Sequence, residues 1–189
     1  MGAGLLVGST AWVDEDSDIA DAVPDAALNI DALPLVAEAR GTRFATRTCS
    51  AGATLGLRRL GATLHVVPPG KTASPFHRHH TADEMFFILS GTGSHRLGEA
   101  LLAVKAGDFL GAPAGGAAHQ IINTGGEDLR YLALSNNGNA DVVEYPDSER
   151  VRIDVGADGT RWEDGTFKAG GRLVPMGYWE GEDVGGEEG

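Results

Sequence analysis

The sequence predicts an all-β protein, built as an antiparallel sandwich or a jelly-roll barrel. Six short apolar or alternating runs follow one another between Arg43 and Ser135, and turn residues separate them. The segments SGTG at 90–93 and NTGGED at 123–128 each predict a hairpin. The 28 glycines and 8 prolines among 189 residues favour many turns over long helices. With 42% hydrophobic residues the chain can bury one core of ordinary size, so we expect a single domain.

Charge and residue pattern divide the chain into three segments. We expect an N-terminal arm over 1–42, a barrel core over 43–135, and an acidic C-terminal arm over 136–189 that packs on the barrel or on a partner subunit. In the N-terminal arm, DALPLVAEARG at 31–41 has an Asp before a proline-led apolar stretch and a Gly after it. This pattern predicts one short helix.

The charge distribution limits the classes of partner. The net charge of −12 is carried by the two flanks, whereas residues 49–135 are close to neutral. An acidic surface repels phosphate backbones, so we expect no binding to nucleic acids or to anionic membranes, although the core is still compatible with an anionic substrate. Cys49 is the only cysteine, so an internal disulfide is impossible. No basic residue precedes the mildly apolar N-terminal stretch and no run is long enough to span a bilayer, so we expect a cytoplasmic protein.

Three histidines and one glutamate in the core have the spacing of metal ligands. His77 and His79 are one residue apart, so on a strand both imidazoles point to the same side, within reach of one ion. Glu84 follows five positions later, and His119 lies thirty-five positions beyond it. Imidazole and carboxylate ligands suit iron, manganese, nickel, cobalt or zinc. The sequence therefore predicts one divalent transition metal held by these four residues.

Strand alternation also predicts the walls of a pocket beside these residues. If Glu84 points inward at the start of EMFFILS, then Phe86 and Ile88 follow it inward, while the residues between them face the other way. In HQIIN, two further residues share a face with the third histidine. Such a pocket suits a small-molecule ligand. The predicted pocket-lining residues are Phe86, Ile88, Ile121 and Asn123.

No general acid or base stands out near the predicted site. His65 and His95 lie on predicted strands, where each either lines the pocket or is an ordinary core or surface histidine. Lys71, Arg78 and Arg96 are the candidate cations near the ligands, and strand arginines commonly extend to water. The general acid or base is therefore unassigned, and there is no obvious phosphate clamp.

The same region resembles a known family. The segment from Gly70 to Asn123 resembles the paired signature of the cupin superfamily, in which one motif of Gly, His-x-His, Glu and Gly and another of Gly, Pro-x-Gly, His and Asn bring four ligands to one metal. Two spacings, Gly70 to His77 and Gly115 to His119, are one residue longer than the commonest form, and both lie in turns, where insertions are tolerated. The matching positions are Gly70, His77, His79, Glu84 and Gly91, then Gly107, Pro113, Gly115, His119 and Asn123.

Outside the two motifs, VVEYPDSER and GYWEGEDV resemble a subgroup of small, single-domain bacterial cupins, some of which are labelled sugar-phosphate isomerases. The resemblance implies a cupin jelly-roll barrel, also called a double-stranded β-helix, with arms at both ends. It also implies a ligand set of His77, His79, Glu84 and His119 for one metal.

This ligand set allows several functions. We expect a metal-dependent enzyme that acts on a small oxygenated metabolite, with oxygenase chemistry slightly ahead of isomerisation because the motifs supply no phosphate clamp. The alternatives are a sugar or sugar-phosphate isomerase or epimerase, a non-catalytic module that binds metal or a small ligand, and a metal-free structural barrel. We also expect a homodimer, because the apolar outward face of EMFFILSG and the aromatic-bearing arms need cover.

Overall fold

The computed structural model describes residues 27–136, 138–156, 167–182 and 185. Within these ranges the chain forms thirteen strands, and the strands pair in antiparallel fashion. In chain order they are β1 (Val36–Arg40), β2 (Phe44–Ser50), β3 (Leu60–Val67), β4 (Arg78–His79), β5 (Glu84–Ser90), β6 (Thr92–Leu97), β7 (Ala100–Lys105), β8 (Phe109–Ala112), β9 (His119–Ile122), β10 (Leu129–Asn136), β11 (Ala140–Tyr145), β12 (Arg150–Val155) and β13 (Phe167–Arg172).

The strands form three sheets. The six-stranded sheet has the order β1-β2-β3-β10-β5-β8, the three-stranded sheet β7-β6-β9, and the four-stranded sheet β13-β12-β11-β4. Consecutive strands such as β5 and β6, or β9 and β10, lie in different sheets, so the chain passes repeatedly from one sheet to another, as in a jelly roll. The predicted all-β jelly-roll fold is confirmed. The division into arms and core at residues 42 and 135 stays a prediction.

Strand alternation builds the core between the sheets. On β5, Phe86 and Ile88 are 6% and 0% exposed, whereas Met85 between Glu84 and Phe86 is 42% exposed, as the alternation predicts. The two inward residues pack with Val67 of β3 and Leu129 of β10, both fully buried. The interior therefore lies against the inner face of the six-stranded sheet.

Both hairpin predictions are wrong. β5 pairs with β8 and β10, while β6 pairs with β7 and β9, so SGTG is a corner where the chain leaves one sheet for another. The segment 123–128 is the corresponding corner between β9 and β10. The two corners touch backbone to backbone: a Cβ at Gly91, whose φ is +84°, would lie 2.6 Å from the carbonyl oxygen of Asp128. The nearby hairpin is instead β6–β7, which turns at Gly98.

The helix predicted over 31–41 is present only as a short 3₁₀ turn, Ile30–Ala32, capped by the side chain of Asn29. The following residues form β1, which pairs along its length with β2. The Gly that sequence patterning assigns to a helix end, Gly41, has φ +57° and lies in the turn between these strands. Pairing with β2 outweighs the weak local preference for helix. No helix in the described ranges is both long and apolar enough to cross a membrane.

Candidate metal centre

The structure brings the four predicted ligands together. Glu84 lies at the centre: its Oε2 is 2.9 Å from Nε2 of His119, 3.3 Å from Nε2 of His79 and 3.8 Å from Nε2 of His77. One candidate ligand atom from each of His77, Glu84 and His119 lies within 4.8 Å of the others. Nε2 of His79 contacts Glu84 but lies outside this closer group of three.

Backbone pairing across the sheets positions these side chains. His79 belongs to β4 of the four-stranded sheet, Glu84 opens β5 of the six-stranded sheet, and His119 opens β9 of the three-stranded sheet. His77 lies just before β4 and exchanges two backbone hydrogen bonds with His119, of 3.1 and 2.7 Å. The backbone N–H of Gly115 also donates to the carbonyl of His79 at 2.8 Å, so the loop before β9 is held against β4.

Hydrogen bonds orient two of the imidazoles. Nδ1 of His77 lies 2.8 Å from the carbonyl oxygen of Pro75, which only accepts, so Nδ1 carries the proton and Nε2 presents its lone pair to Glu84. Nδ1 of His79 donates to the carboxylate of Asp141. That carboxylate accepts in turn from the backbone N–H and hydroxyl of Thr81, at 3.1 and 2.9 Å. A carboxylate or carbonyl behind an imidazole is the usual arrangement for a histidine that binds a metal.

The charge states of His77 and Glu84 suit cation binding. Burial, with the charge of His119, lowers the pKa of His77 to about 4, so this ligand is neutral at pH 7. Burial acts to raise the pKa of Glu84, but the contact with His119 and the surrounding imidazoles outweigh it and hold the pKa below its usual value. For His79, burial acts to lower the pKa, but the hydrogen bond to Asp141 and the charge of Glu84 outweigh burial and raise it.

The donor atoms at the centre fit a divalent metal. Oε2 of Glu84 and both ring nitrogens of His119 are buried, and none has a hydrogen-bond partner, since the 2.9 Å contact between Glu84 and His119 lacks hydrogen-bond geometry. Buried polar atoms in proteins are nearly always partnered. An imidazole and carboxylate donor set matches the ligand preference of first-row transition metals. The group can therefore hold one divalent metal, whose identity the donors alone do not select.

A cavity of about 110 Å³ adjoins the centre. Its lining combines three of the candidate ligands with aromatic and apolar side chains and with one serine. The lining residues are His65, Ala73, Ser74, His77, Glu84, Phe86, His119, Ile121, Tyr131 and Ala133.

Of the four residues predicted to line a pocket, Phe86 and Ile121 lie on the cavity wall, whereas Ile88 and Asn123 do not. Ile88 is fully buried within the core cluster. The side-chain amide of Asn123 donates to the carbonyl oxygens of Val67 and Glu127, each at 2.7 Å, and so holds the corner between β9 and β10. Alternation correctly predicts that Ile88 and Asn123 face the interior. It does not predict how far the cavity extends along the barrel.

The three candidate cations named from the sequence bind other groups of the protein. Arg78 donates to Glu144 at 2.6 and 2.8 Å, and Arg96 makes two hydrogen bonds to Asp147, at 2.7 and 2.9 Å. Lys71 donates to a backbone carbonyl at 2.6 Å. Among the described residues no lysine or arginine lines the cavity. The lining is therefore neutral apart from the candidate ligands.

Sequence reasoning missed Asp141 and Tyr131. Asp141 lies in the segment assigned to the C-terminal arm, 62 residues from His79, and only the pairing of β11 with β4 brings the two together. Tyr131 lies on a mostly apolar strand, and the sequence did not show on which face of the sheet its side chain lies. The buried His95 has its ring 6.3 Å from that of His119, away from the cavity lining.

Replacing Asp141 with asparagine is expected to weaken metal binding about 10- to 100-fold, the usual cost of losing an outer partner of a histidine ligand. The amide no longer provides the carboxylate that orients His79. The measurement is competition with a chelator of known affinity at pH 7.5. The matched control is Asp128→Asn, whose carboxylate pairs with Arg47 and does not line the cavity. Equal affinities in the two variants would contradict an orienting role for Asp141.

Comparison with known proteins gives one family. Residues 63–135 match the family model described as a cupin domain. An oxalate-binding protein of Thermotoga maritima is 35% identical over 68 residues, which cover 36% of this chain and 54% of that protein. The chain spans about half the length of the curated relatives that it matches.

Two solved structures are similar over more of the chain. A protein of Acidithiobacillus ferrooxidans, provisionally described as a sugar phosphate isomerase, is 34% identical with a TM-score of 0.56, covering 58% of this chain and 70% of that chain. A sugar phosphate isomerase from the cupin superfamily, from Silicibacter pomeroyi, has a TM-score of 0.66 at 19% identity, covering 80% and 97% respectively, and shows a shared fold. Motifs, barrel and relatives agree, and the chain belongs to the cupin superfamily.

Proposed function

We propose that the protein is a metal-dependent enzyme in which a divalent ion, held by His77, His79, Glu84 and His119, chelates a small oxygenated metabolite. The observation that carries the proposal is the buried group of unpartnered donors on Glu84 and His119 beside a cavity. With iron or manganese the ion would supply oxygen chemistry, and with any of the candidate metals it would polarise a carbonyl.

The size of the cavity supports a compact ligand. Its volume of about 110 Å³ is well below the roughly 300–1,000 Å³ typical of sites for drug-sized molecules. Phe86 and Ile121 supply apolar walls, and the candidate ligands supply the polar end. This combination suits a molecule of a few carbons with two adjacent oxygen atoms for the metal.

The charges favour oxygenase chemistry over isomerisation of a sugar phosphate. A phosphate group in a pocket usually meets lysine, arginine or a set of backbone N–H groups. Lys71, Arg78 and Arg96 each bind a protein acceptor, and no cation lines the cavity within the described ranges. We therefore place oxidation of a small chelating metabolite first.

Two similarities to other proteins support alternative functions. The relative at 34% identity is provisionally described as a sugar phosphate isomerase, which favours isomerisation as the second candidate function. The relative from Thermotoga maritima carries the name of an oxalate-binding protein, which favours a binding module without turnover.

The test is elemental analysis of protein purified without chelators or a metal-affinity tag, followed by calorimetric titration with oxalate and with ribose 5-phosphate. The expected result is one transition metal per chain and oxalate binding that disappears after the metal is removed. Iron or manganese would favour oxygen chemistry, whereas zinc with tight binding of ribose 5-phosphate would favour isomerisation. Folded protein that takes up no metal when supplied with each candidate would contradict the proposal.

A further inference from the structure

Two aromatic side chains deeper in the cavity form a pair. His65 on β3 and Tyr131 on β10 are directly opposite in the register of the two strands, and their rings stack at 5.0 Å with 13° between the planes. Tyr131 also contacts Phe86 edge to face, with ring centroids 6.1 Å apart. Both members of the pair line the same cavity as Glu84. Packing therefore holds two polar aromatic groups in fixed positions within the cavity.

The pair lies at a defined separation from the metal centre. On β10, Ser135 is the register partner of Glu84, and Tyr131 lies four residues away on the same face of the sheet. Phe86 contacts both the centre and the pair, with its ring centroid 5.5 Å from that of His119 and 6.1 Å from that of Tyr131. A ligand bound at the centre can thus extend along the cavity toward the pair.

The polar atoms of the pair have almost no partners in the protein. Tyr131 is 4% exposed, and among the described residues its hydroxyl makes no hydrogen bond. Nδ1 of His65 makes a long contact of 3.5 Å with the hydroxyl of Thr46. Among the described residues, Nε2 of His65 has no hydrogen-bond partner. Neither atom is completely buried, and both residues line the cavity, so a ligand in the cavity can hydrogen-bond to the Tyr131 hydroxyl and to Nε2 of His65.

Both groups are uncharged at neutral pH. Burial lowers the pKa of His65 to about 4, although the charge of Glu84 acts in the opposite direction. Burial and the charge of Glu84 both raise the pKa of Tyr131 well above its usual value. An uncharged imidazole and an uncharged phenol recognise a hydroxyl or carbonyl oxygen, whereas a phosphate or carboxylate at this depth would lack a counter-charge.

We propose that His65 and Tyr131 bind the end of the metabolite that does not reach the metal, and that this end carries an uncharged hydroxyl or carbonyl oxygen. The inference rests on the proposed function and adds a class of substrate: a short metal chelator, such as a 2-oxo acid, with a neutral oxygen at its far end. His65 and Tyr131 are therefore specificity-determining residues.

The test compares matched probes on Ni²⁺-loaded protein by calorimetry. The probes are pyruvate, 2-oxobutanoate and 2-oxopentanoate, each paired with the form that carries a terminal hydroxyl group. At one chain length the wild type is expected to bind the hydroxyl form about 2- to 13-fold more tightly, which is the contribution of one neutral hydrogen bond. Tyr131→Phe and His65→Phe keep a ring in place and are expected to bring this ratio close to one.

Two controls separate the possible failures. Each variant must still bind one Ni²⁺ per chain, and Tyr178→Phe, at a position 86% exposed, should retain the wild-type ratio. The inference is wrong if the wild type binds the hydroxyl and unsubstituted forms equally at every chain length. It is also wrong if both variants keep the wild-type ratio. Neither outcome argues against chelation by the metal. Tighter binding of 3-phosphohydroxypyruvate than of 3-hydroxypyruvate also overturns the inference. If oxalate binds the Ni²⁺-loaded wild type but no 2-oxo acid does, the inference fails and the proposed function stands; if neither binds, both fail. If His65→Phe does not fold, Tyr131→Phe decides the outcome.

Discussion

Replacing His119 with alanine is expected to abolish stoichiometric binding of a divalent metal. His119 is 2% exposed, and its Nε2 lies closer to Glu84 than the nitrogen of any other candidate ligand. The substitution removes one of the four candidate metal ligands, and alanine supplies no donor atom in its place. The affinity should fall by more than the roughly 10- to 100-fold typical for loss of an outer partner. The measurement is elemental analysis after dialysis against metal-free buffer.

The control for this variant is His80→Ala. His80 is adjacent to a candidate ligand in sequence, yet its Nε2 contacts Glu144 at 3.3 Å and does not face the centre. Full metal content is expected for this variant. If His119→Ala proves too unstable to purify, His77→Ala provides the same test at a less buried ligand. A folded variant lacking either ligand that still carries one metal per chain would refute the assignment.

The Gly91→Ala variant is expected to lose about 2–5 kcal/mol of its free energy of unfolding. About 1–2 kcal/mol comes from the left-handed conformation, and about 1–3 kcal/mol comes from overpacking. Gly91 has φ +84°, and a Cβ there would lie 2.6 Å from the carbonyl oxygen of Asp128 and 3.0 Å from Cα of Leu129. Both are backbone atoms of the opposing corner, so neither can move away without displacing β10. Urea denaturation at constant m-value measures the loss.

Three matched glycines separate the two causes. Gly107 has φ +94°, but a Cβ there would have no heavy atom within 4 Å, so Gly107→Ala should show only the conformational cost. Gly93 has no left-handed φ, yet a Cβ there would lie 2.6 Å from the carbonyl oxygen of Ile122, so its variant should show only the clash. Gly111→Ala, with neither feature, should be close to neutral. Similar losses at Gly91 and Gly107 would show that corner packing contributes little.

Local pattern is sufficient to predict the fold class and which residues of a strand share a face. The side-chain period of a strand is two, so the burial of Phe86 and the exposure of Met85 follow from sequence alone. The same period places two imidazoles one residue apart on one side. Convergence with His119 requires the second motif, because no local rule brings β9 beside β4.

Properties that depend on strand partners could not be predicted. A Gly-rich segment between two apolar runs has the same composition in a hairpin as in a corner between sheets, so the sequence of SGTG does not distinguish the two. The stretch before Gly41 has a mixed local preference, and only its pairing with β2 makes it a strand. Asp141 is recognisable only after the four-stranded sheet brings β11 to β4.

The origin of the candidate ligands in three different sheets has a thermodynamic consequence. β4, β5 and β9 are joined by loops and corners along the chain, but an ion shared by His79, Glu84 and His119 would link all three sheets at one point. Unfolding separates these ligands, so the ion would bind the native chain in preference to the unfolded one. At a free metal concentration one hundred times the dissociation constant, this linkage adds about 2.7 kcal/mol to the free energy of unfolding. The fraction of chains in the folded barrel would then depend on the supply of metal.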